Sequence, residues 1–215
     1  MNERERAYSS IREAITCGQL SPGEKLAELS LCDTFGVGRT PLREAFRQLQ
    51  MEGYIEVIPN RGAFVRKLSV DELCWIYETL SVLEAHAAER LAGECDDSAL
   101  QSLSTLNQQL VLARKAMEYP KWFSYNYSFH DLIRTSCGNP ILADQIAQLR
   151  NRTYRNRGLL LSLHGTIDTY QAGHDEILKA IASRNPSKAA SAMRQHLNQA
   201  RENLRSFLIS HPFPP

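Results

Sequence analysis

The chain has 215 residues, of which 43% are apolar and 23% charged, with a net charge of +1. That balance excludes wholesale disorder and excludes a polycation, so any nucleic-acid surface has to be local. Five cysteines, an odd count with no CxxC pair, fit a reducing compartment better than a disulfide framework. There is no apolar leader core behind Met1 and no run of ~18 apolar residues, so the expectation is a cytoplasmic protein with no membrane span.

Residues 3–17 place Ala7, Tyr8, Ile11, Ala14 and Ile15 at helical spacing. Gly18 and the turn Ser21-Pro22-Gly23 end that helix. Leu26, Leu29 and Leu31 lead into a short helix over 28–35, stopped by Gly36. Thr40 reads as an N-cap and Pro41 as the first residue of the next helix. That helix carries Leu42, Ala45, Phe46 and Leu49 on one face and closes near Gly53. Two helices joined by a short glycine-containing turn form the helix-turn-helix pattern. Residues 54–58 and 63–66 then read as strands around the turn Pro59-Asn60-Arg61-Gly62, a hairpin placed as a wing.

From residue 70 the periodicity is helical, over about 70–93, 97–117, 119–136, 139–160, 167–184 and 186–208. The breaks fall at Gly93, Asp96-Asp97-Ser98, Pro120, Gly138-Asn139-Pro140, Gly165 and Asn185-Pro186. The expected fold is mainly α: a winged helix-turn-helix over 1–68 and an all-α helical bundle over 69–210.

Charge is concentrated where the hairpin and the preceding helix lie. Residues 36–67 hold six basic groups against three acids. Arg39, Arg43 and Arg47 recur at four-residue intervals on one helix face, opposite Leu42, Phe46 and Leu49. Such a helix offers arginines to guanine edges or phosphates, Thr40 adds a hydroxyl for phosphate, and free backbone N–H groups add to it. Arg61-Gly62 at the hairpin tip allows close backbone approach to a groove. An amphipathic helix with solvated arginines is the plainer reading of Arg39 and Arg43 alone; the ordered set of helix, turn, capped helix and hairpin argues against it.

Residues 8–67 resemble the GntR-type winged helix-turn-helix. The likeness is carried by residues 18–26, by Phe35-Gly36-Val37-Gly38-Arg39-Thr40-Pro41-Leu42-Arg43-Glu44-Ala45, by residues 49–54, and by Asn60-Arg61-Gly62-Ala63-Phe64-Val65. The resemblance implies double-stranded operator DNA as partner, contacted by Arg39, Thr40, Arg43 and the wing at Gly62. Gly38 stands where that family usually has Ser or Thr, and Leu29 where some members carry an arginine.

In the second half, Asn126 and His130 share a helix face. His174 lies eleven residues before Asn185 and His196 eleven after it. If Asn185-Pro186 turns an antiparallel hairpin, the two imidazoles meet across it, and with Asn126 and His130 they form a cage for a divalent metal. A lone helical histidine is more often a surface or satisfied core residue, and His86, His164 and His211 keep that reading. Residues 71–208 also resemble the FCD ligand-binding domain of FadR-type GntR regulators, in its shorter VanR-like form. Leu83-Glu84, Asn126-x-x-x-His130, Gly138-Asn139-Pro140, His174 and His196 carry this likeness. The resemblance implies a metal at Asn126, His130, His174 and His196, with zinc first and nickel or manganese as alternatives. It also implies a small carboxylate effector on the open positions. Asn126 stands where aspartate is commoner, and Leu80 where many relatives have an anion-binding arginine. Arg134, one turn beyond His130, is the first candidate for pairing with the effector; Arg150, Arg152, Arg155 and Arg157 crowd the next helix, where some can line the pocket and most read as a solvated basic face.

The expected protein is a homodimeric repressor whose palindromic operator mirrors its two-fold axis. One alternative is the same DNA-binding regulator with a metal-independent effector, such as an acyl chain. A metal-dependent hydrolase is remoter: there is no HExxH, no nucleophile elbow and no carboxylate placed by motif as a base, so no catalytic residue is assigned and an enzyme is not expected.

Overall fold

A computed structural model describes residues 2–16, 19–94, 96–154 and 167–210. The stretch 155–160 of the fourth expected bundle helix, with Arg155 and Arg157, lies outside the described residues, as do Gly18, His164, Gly165 and His211. Among the described residues the chain divides into two compact units, one of residues 2–69 with 152–154 and one of residues 70–151 with 167–210.

The first unit runs α1 (Glu3–Thr16), β1 (Lys25–Leu26), α2 (Glu28–Phe35), α3 (Arg39–Met51), β2 (Ile55–Ile58) and β3 (Gly62–Val65). The helical apolar stripe of α1 packs as read: Ala7, Ile11 and Ile15 join Leu31, Leu42, Phe46, Leu49, Ile55 and Val65 in one buried cluster. Gly36 takes the left-handed conformation (φ 60°) that lets α2 stop and the chain turn into α3. The strands form an antiparallel sheet in the order β1-β3-β2, with Val57 opposite Ala63 and Lys25 opposite Phe64.

Two local expectations change. The helix of the recognition position begins at Arg39 with Gly38 as its N-cap, not at Thr40. Leu42 N–H already donates to the Gly38 carbonyl (3.1 Å), so Thr40 and Pro41 lie inside the first turn. Proline is tolerated anywhere in that turn because the first N–H groups have no helical partner, so Pro41 marks the start only to within a residue or two. Leu26, read as a lead-in to α2, belongs instead to β1. Backbone bonds from Gly23 N–H to the Val65 carbonyl and from Val65 N–H to the Glu24 carbonyl, both 2.9 Å, tie this stretch to β3. A strand of two residues is too short to show alternation.

The second unit is helical: α4 (Val70–Glu94), α5 (Asp97–Lys115), α6 (Tyr119–Thr135), α7 (Pro140–Tyr154), α8 (Ile167–Ala182) and α9 (Pro186–Ser210). Its helix starts are written in the sequence. Asp96 accepts from Ala99 N–H (2.6 Å), Asn139 from Leu142 N–H (3.1 Å) and Asn185 from Lys188 N–H (3.0 Å). In the two Asn-Pro pairs the proline follows as the first helical residue, where its fixed φ suits the start. The 25-residue α4 and α9 pack along one another. α8 folds back on α9 through the Asn185 turn, and α5 and α6 lie against α8 and α4. Their apolar faces leave one group of polar side chains in the middle.

Candidate metal centre and nucleic-acid interface

The arginines of α3 stand as their spacing requires. Leu42, Ala45, Phe46 and Leu49 are buried, and Arg39, Thr40, Arg43 and Arg47 are exposed. Arg43 is held by Glu28 of α2, with Nε 3.0 Å from one carboxylate oxygen and 3.2 Å from the other. An ion pair this exposed is worth ~0–1 kcal/mol and yields readily to a phosphate. At the start of α3 the Gly38 N–H donates to Glu3 Oε2 (3.1 Å). At the wing tip, Asn60 (φ 61°) and Gly62 (φ 102°) take left-handed backbone, and Arg61 lies 5.6 Å from the centre of the Phe64 ring. Lys25, on β1, reaches within 3.6 Å of where a Gly62 Cβ would stand. Nothing local in the sequence puts this cation beside the wing, because a two-residue strand shows no alternation.

In the helical unit, α6 supplies His130, α8 His174 and α9 His196, each buried. One ring nitrogen of each lies within 4.8 Å of the others. Ring centres are 4.5 Å apart for His174 and His196, so the hairpin about Asn185 does bring them side by side. His130 and His174 face each other Nε2 to Nε2 at 3.4 Å.

Glu84 of α4, 1% exposed, fixes the chemistry of His130. Its Oε2 lies 2.8 Å from His130 Nδ1. A carboxylate accepts, so Nδ1 carries the proton and Nε2 is left with a bare lone pair toward His174. Arg150 of α7 neutralises Glu84, with Nε 2.5 Å from Oε1 and Nη2 2.6 Å from Oε2. Burial first, and the Arg150 charge after it, hold His130 well below the ordinary imidazole range. Burial likewise lowers His174 and His196, with the neighbouring imidazoles and Arg150 adding to it. All three are therefore neutral, the form that ligates a metal.

The donor set fits a divalent transition metal. Two nitrogens ~2.0–2.1 Å from a tetrahedral ion stand ~3.3–3.4 Å apart, the spacing of the two Nε2 atoms. The carboxylate behind His130 is the usual outer partner of a ligating imidazole. A hydrogen bond from His174 Nε2–H to His130 Nε2 is the other use of the same geometry. His174 Nδ1 is buried with no partner among the described residues.

Asn126 lines a small cavity of about 40 Å³ together with His130, His196, Arg150, Tyr77 and Trp122. Arg134 is not at that cavity: its Nε donates to Asp131 (2.8 Å), one turn back on its own helix. Arg150 is the cation that lines the cavity, one of the four arginines of which the sequence lets some line the pocket without saying which. Leu80 is buried in the core, and His86 sits on the surface with Glu89 (3.0 Å). Cys137, buried, lies in the α6–α7 turn with Sγ 3.6 Å from the Asn139 carbonyl and is not part of the histidine cluster.

Residues 75–199 match the FCD domain, and residues 3–65 match the family described as bacterial regulatory proteins, gntR family. The chain is 26% identical over 205 residues to the uncharacterized HTH-type transcriptional regulator YdhC of Bacillus subtilis, covering 94% of this chain and 90% of that protein. It is 26% identical to the HTH-type transcriptional repressor RspR of Escherichia coli, covering 94% and 88%. Among solved structures, E. coli McbR/YncC has the same fold, with a TM-score of 0.80 at 20% identity over 96% of this chain and 98% of that one. A putative GntR regulator from Rhodococcus sp. RHA1 gives 0.81 at 20% identity, covering 94% and 96%.

Proposed function

The chain belongs to the GntR family, in its FadR-type branch with an FCD domain, and from that premise we propose a homodimeric, metal-dependent repressor that answers to a small organic acid. It is a DNA-binding transcriptional regulator and not an enzyme. No helix among the described residues is long and apolar enough to cross a membrane. We place the regulator in the cytoplasm and its sensor half in the VanR-like subgroup.

One observation carries the metal reading: three buried imidazoles converge, and Glu84 holds the Nδ1 side of one of them. His130, His174 and His196 would hold the ion, with Asn126 at the cavity wall as the fourth group. A bound zinc, nickel or manganese supplies a Lewis-acidic point to which a carboxylate can attach. Arg150 then supplies the second point of recognition, taking the part first given to Arg134. A cavity of about 40 Å³ holds only a few waters' volume, so effector uptake has to enlarge it. An anion beside Arg150 competes with Glu84 for the guanidinium, and thereby loosens α7 from α4. A coupling of ~1–3 kcal/mol to the spacing of two recognition helices suffices to switch operator affinity.

The DNA contacts in this reading are Arg39, Thr40, Arg43 and Arg47 on α3 and Arg61 with Gly62 on the wing. The aromatic cavity walls, Tyr77, Trp122, Phe123 and Tyr170, leave a metal-independent apolar effector as the second reading. Elemental analysis of untagged protein purified without chelator separates the two. About one transition metal per chain, lost in an Asn126→Ala/His174→Ala variant, is the expected result. Protein that stays metal-free after addition of zinc, nickel or manganese overturns the metal reading and leaves the DNA-binding assignment standing.

A further inference from the structure

We infer that Gly173 is the positioning residue that lets His196 reach the other two imidazoles; this rests on the metal reading above. Glycine in mid-helix weakens the helix relative to alanine, so its presence in α8 needs a cause. Its φ is not positive, and it lies in no turn. What distinguishes it is the space its missing Cβ leaves. A Cβ there would stand 2.3 Å from His196 Nδ1, 3.0 Å from its Cγ and 3.2 Å from its Cβ.

These contacts fall on the root of the ring, not on the end of a flexible chain. Turning the ring over about its Cβ–Cγ bond only exchanges Nδ1 for Cδ2 at the same point. Relief requires a new χ1 for His196 or a shift of α9. Either one takes the ring off His174 and His130, whose ring centres are 4.5 Å and 5.2 Å away. The pair Gly173-His174 thus does two jobs in two residues: one contributes an imidazole, and the other makes room for the imidazole that faces it. Gly93 is the natural control. A Cβ on it meets only Pro186 Cγ, at an ordinary 3.8 Å.

The test titrates zinc into metal-free wild type, Gly173→Ala, Gly93→Ala, His196→Ala and the Gly173→Ala/His196→Ala double variant. Imidazole NMR of the metal-free proteins accompanies the titration. Zinc affinity is expected to fall at least about tenfold in Gly173→Ala and to stay unchanged in Gly93→Ala. In the His196→Ala background the Gly173 substitution should cost nothing more, because the ring it displaces is gone. The metal-free Gly173→Ala spectrum should lose the ring-to-ring contacts of His196. A Gly173→Ala protein that fails to fold while the double variant folds supports the same clash. Equal zinc affinity in wild type and Gly173→Ala overturns the inference and leaves the metal reading intact. A wild type that takes up no zinc overturns the metal reading, and the metal-free His196 contacts then decide the positioning on their own.

Discussion

The two units keep their chemistry in opposite places. The DNA-reading unit exposes it: Arg39, Thr40, Arg43, Arg47 and Arg61 stand in solvent on a buried apolar scaffold, all within one short stretch of chain. The sensing unit buries it: Glu84, His130, Arg150, His174 and His196 come from five helices and are almost wholly removed from water. Exposed charges can be changed with little effect on the fold but a direct effect on a partner. Buried ones are held by each other, so each substitution tests stability and function together.

The largest expected effect follows from that contrast. Glu84→Ala leaves Arg150 without its carboxylate in the interior and should destabilise the metal-free protein by about 3–5 kcal/mol in urea unfolding. A loss under ~1 kcal/mol would mean that the sensing unit is as tolerant as the surface. Next, zinc at a hundredfold excess over its dissociation constant should stabilise the folded state by ~2.7 kcal/mol. The expected stabilisation vanishes in His174→Ala; its survival there would move the metal elsewhere.

The exposed face should behave oppositely. Arg39→Ala or Arg47→Ala should weaken operator binding by ~1–3 kcal/mol if the arginine reads a base, or lower the salt slope by ~1 if it holds a phosphate. Unfolding should shift by no more than ~0.5 kcal/mol. A larger stability loss would break the distinction between the units. Glu28→Gln, which frees Arg43, should tighten DNA binding modestly and steepen its salt dependence; unchanged binding would show that Arg43 does not meet the DNA.

Acidification tests the buried side of the contrast as well. The three imidazoles are held below the ~6.5 at which they titrate in an unfolded chain. Below that pH the unfolded state binds more protons than the folded one, so metal-free stability should fall as pH drops from about 7 toward about 5. Above about 7 both states are neutral and the contribution is flat. A urea midpoint that does not move on acidification would place the histidines in contact with water.

How much of this was legible from residues alone varies with range. Helix starts at Asp97, Pro140 and Pro186 were, because a cap acts within one turn. The meeting of His174 and His196 was, because a single short turn at Asn185 relates them. The carboxylate behind His130 was not: Glu84 lies 46 positions away on another helix, and the likeness that Leu83-Glu84 helps to carry assigns it no partner. Which of the four arginines from Arg150 to Arg157 lines the pocket was not, since a basic run has the same spacing whichever member turns inward. Gly173 gave no sign, because the reason for it is a ring on α9.

The sequence by itself determined the helices and the hairpin, the caps at Asp96, Asn139 and Asn185, the apolar faces, the outward arginines of α3, and three histidines able to share a site. Tertiary structure alone decided that β1 completes the wing, that Arg150 and not Arg134 reaches the cavity, and which His130 nitrogen is bare. The reason is range. Caps and helix faces are set by neighbours within about four residues, whereas burial, tautomer and charge pairing depend on which helices come to lie together.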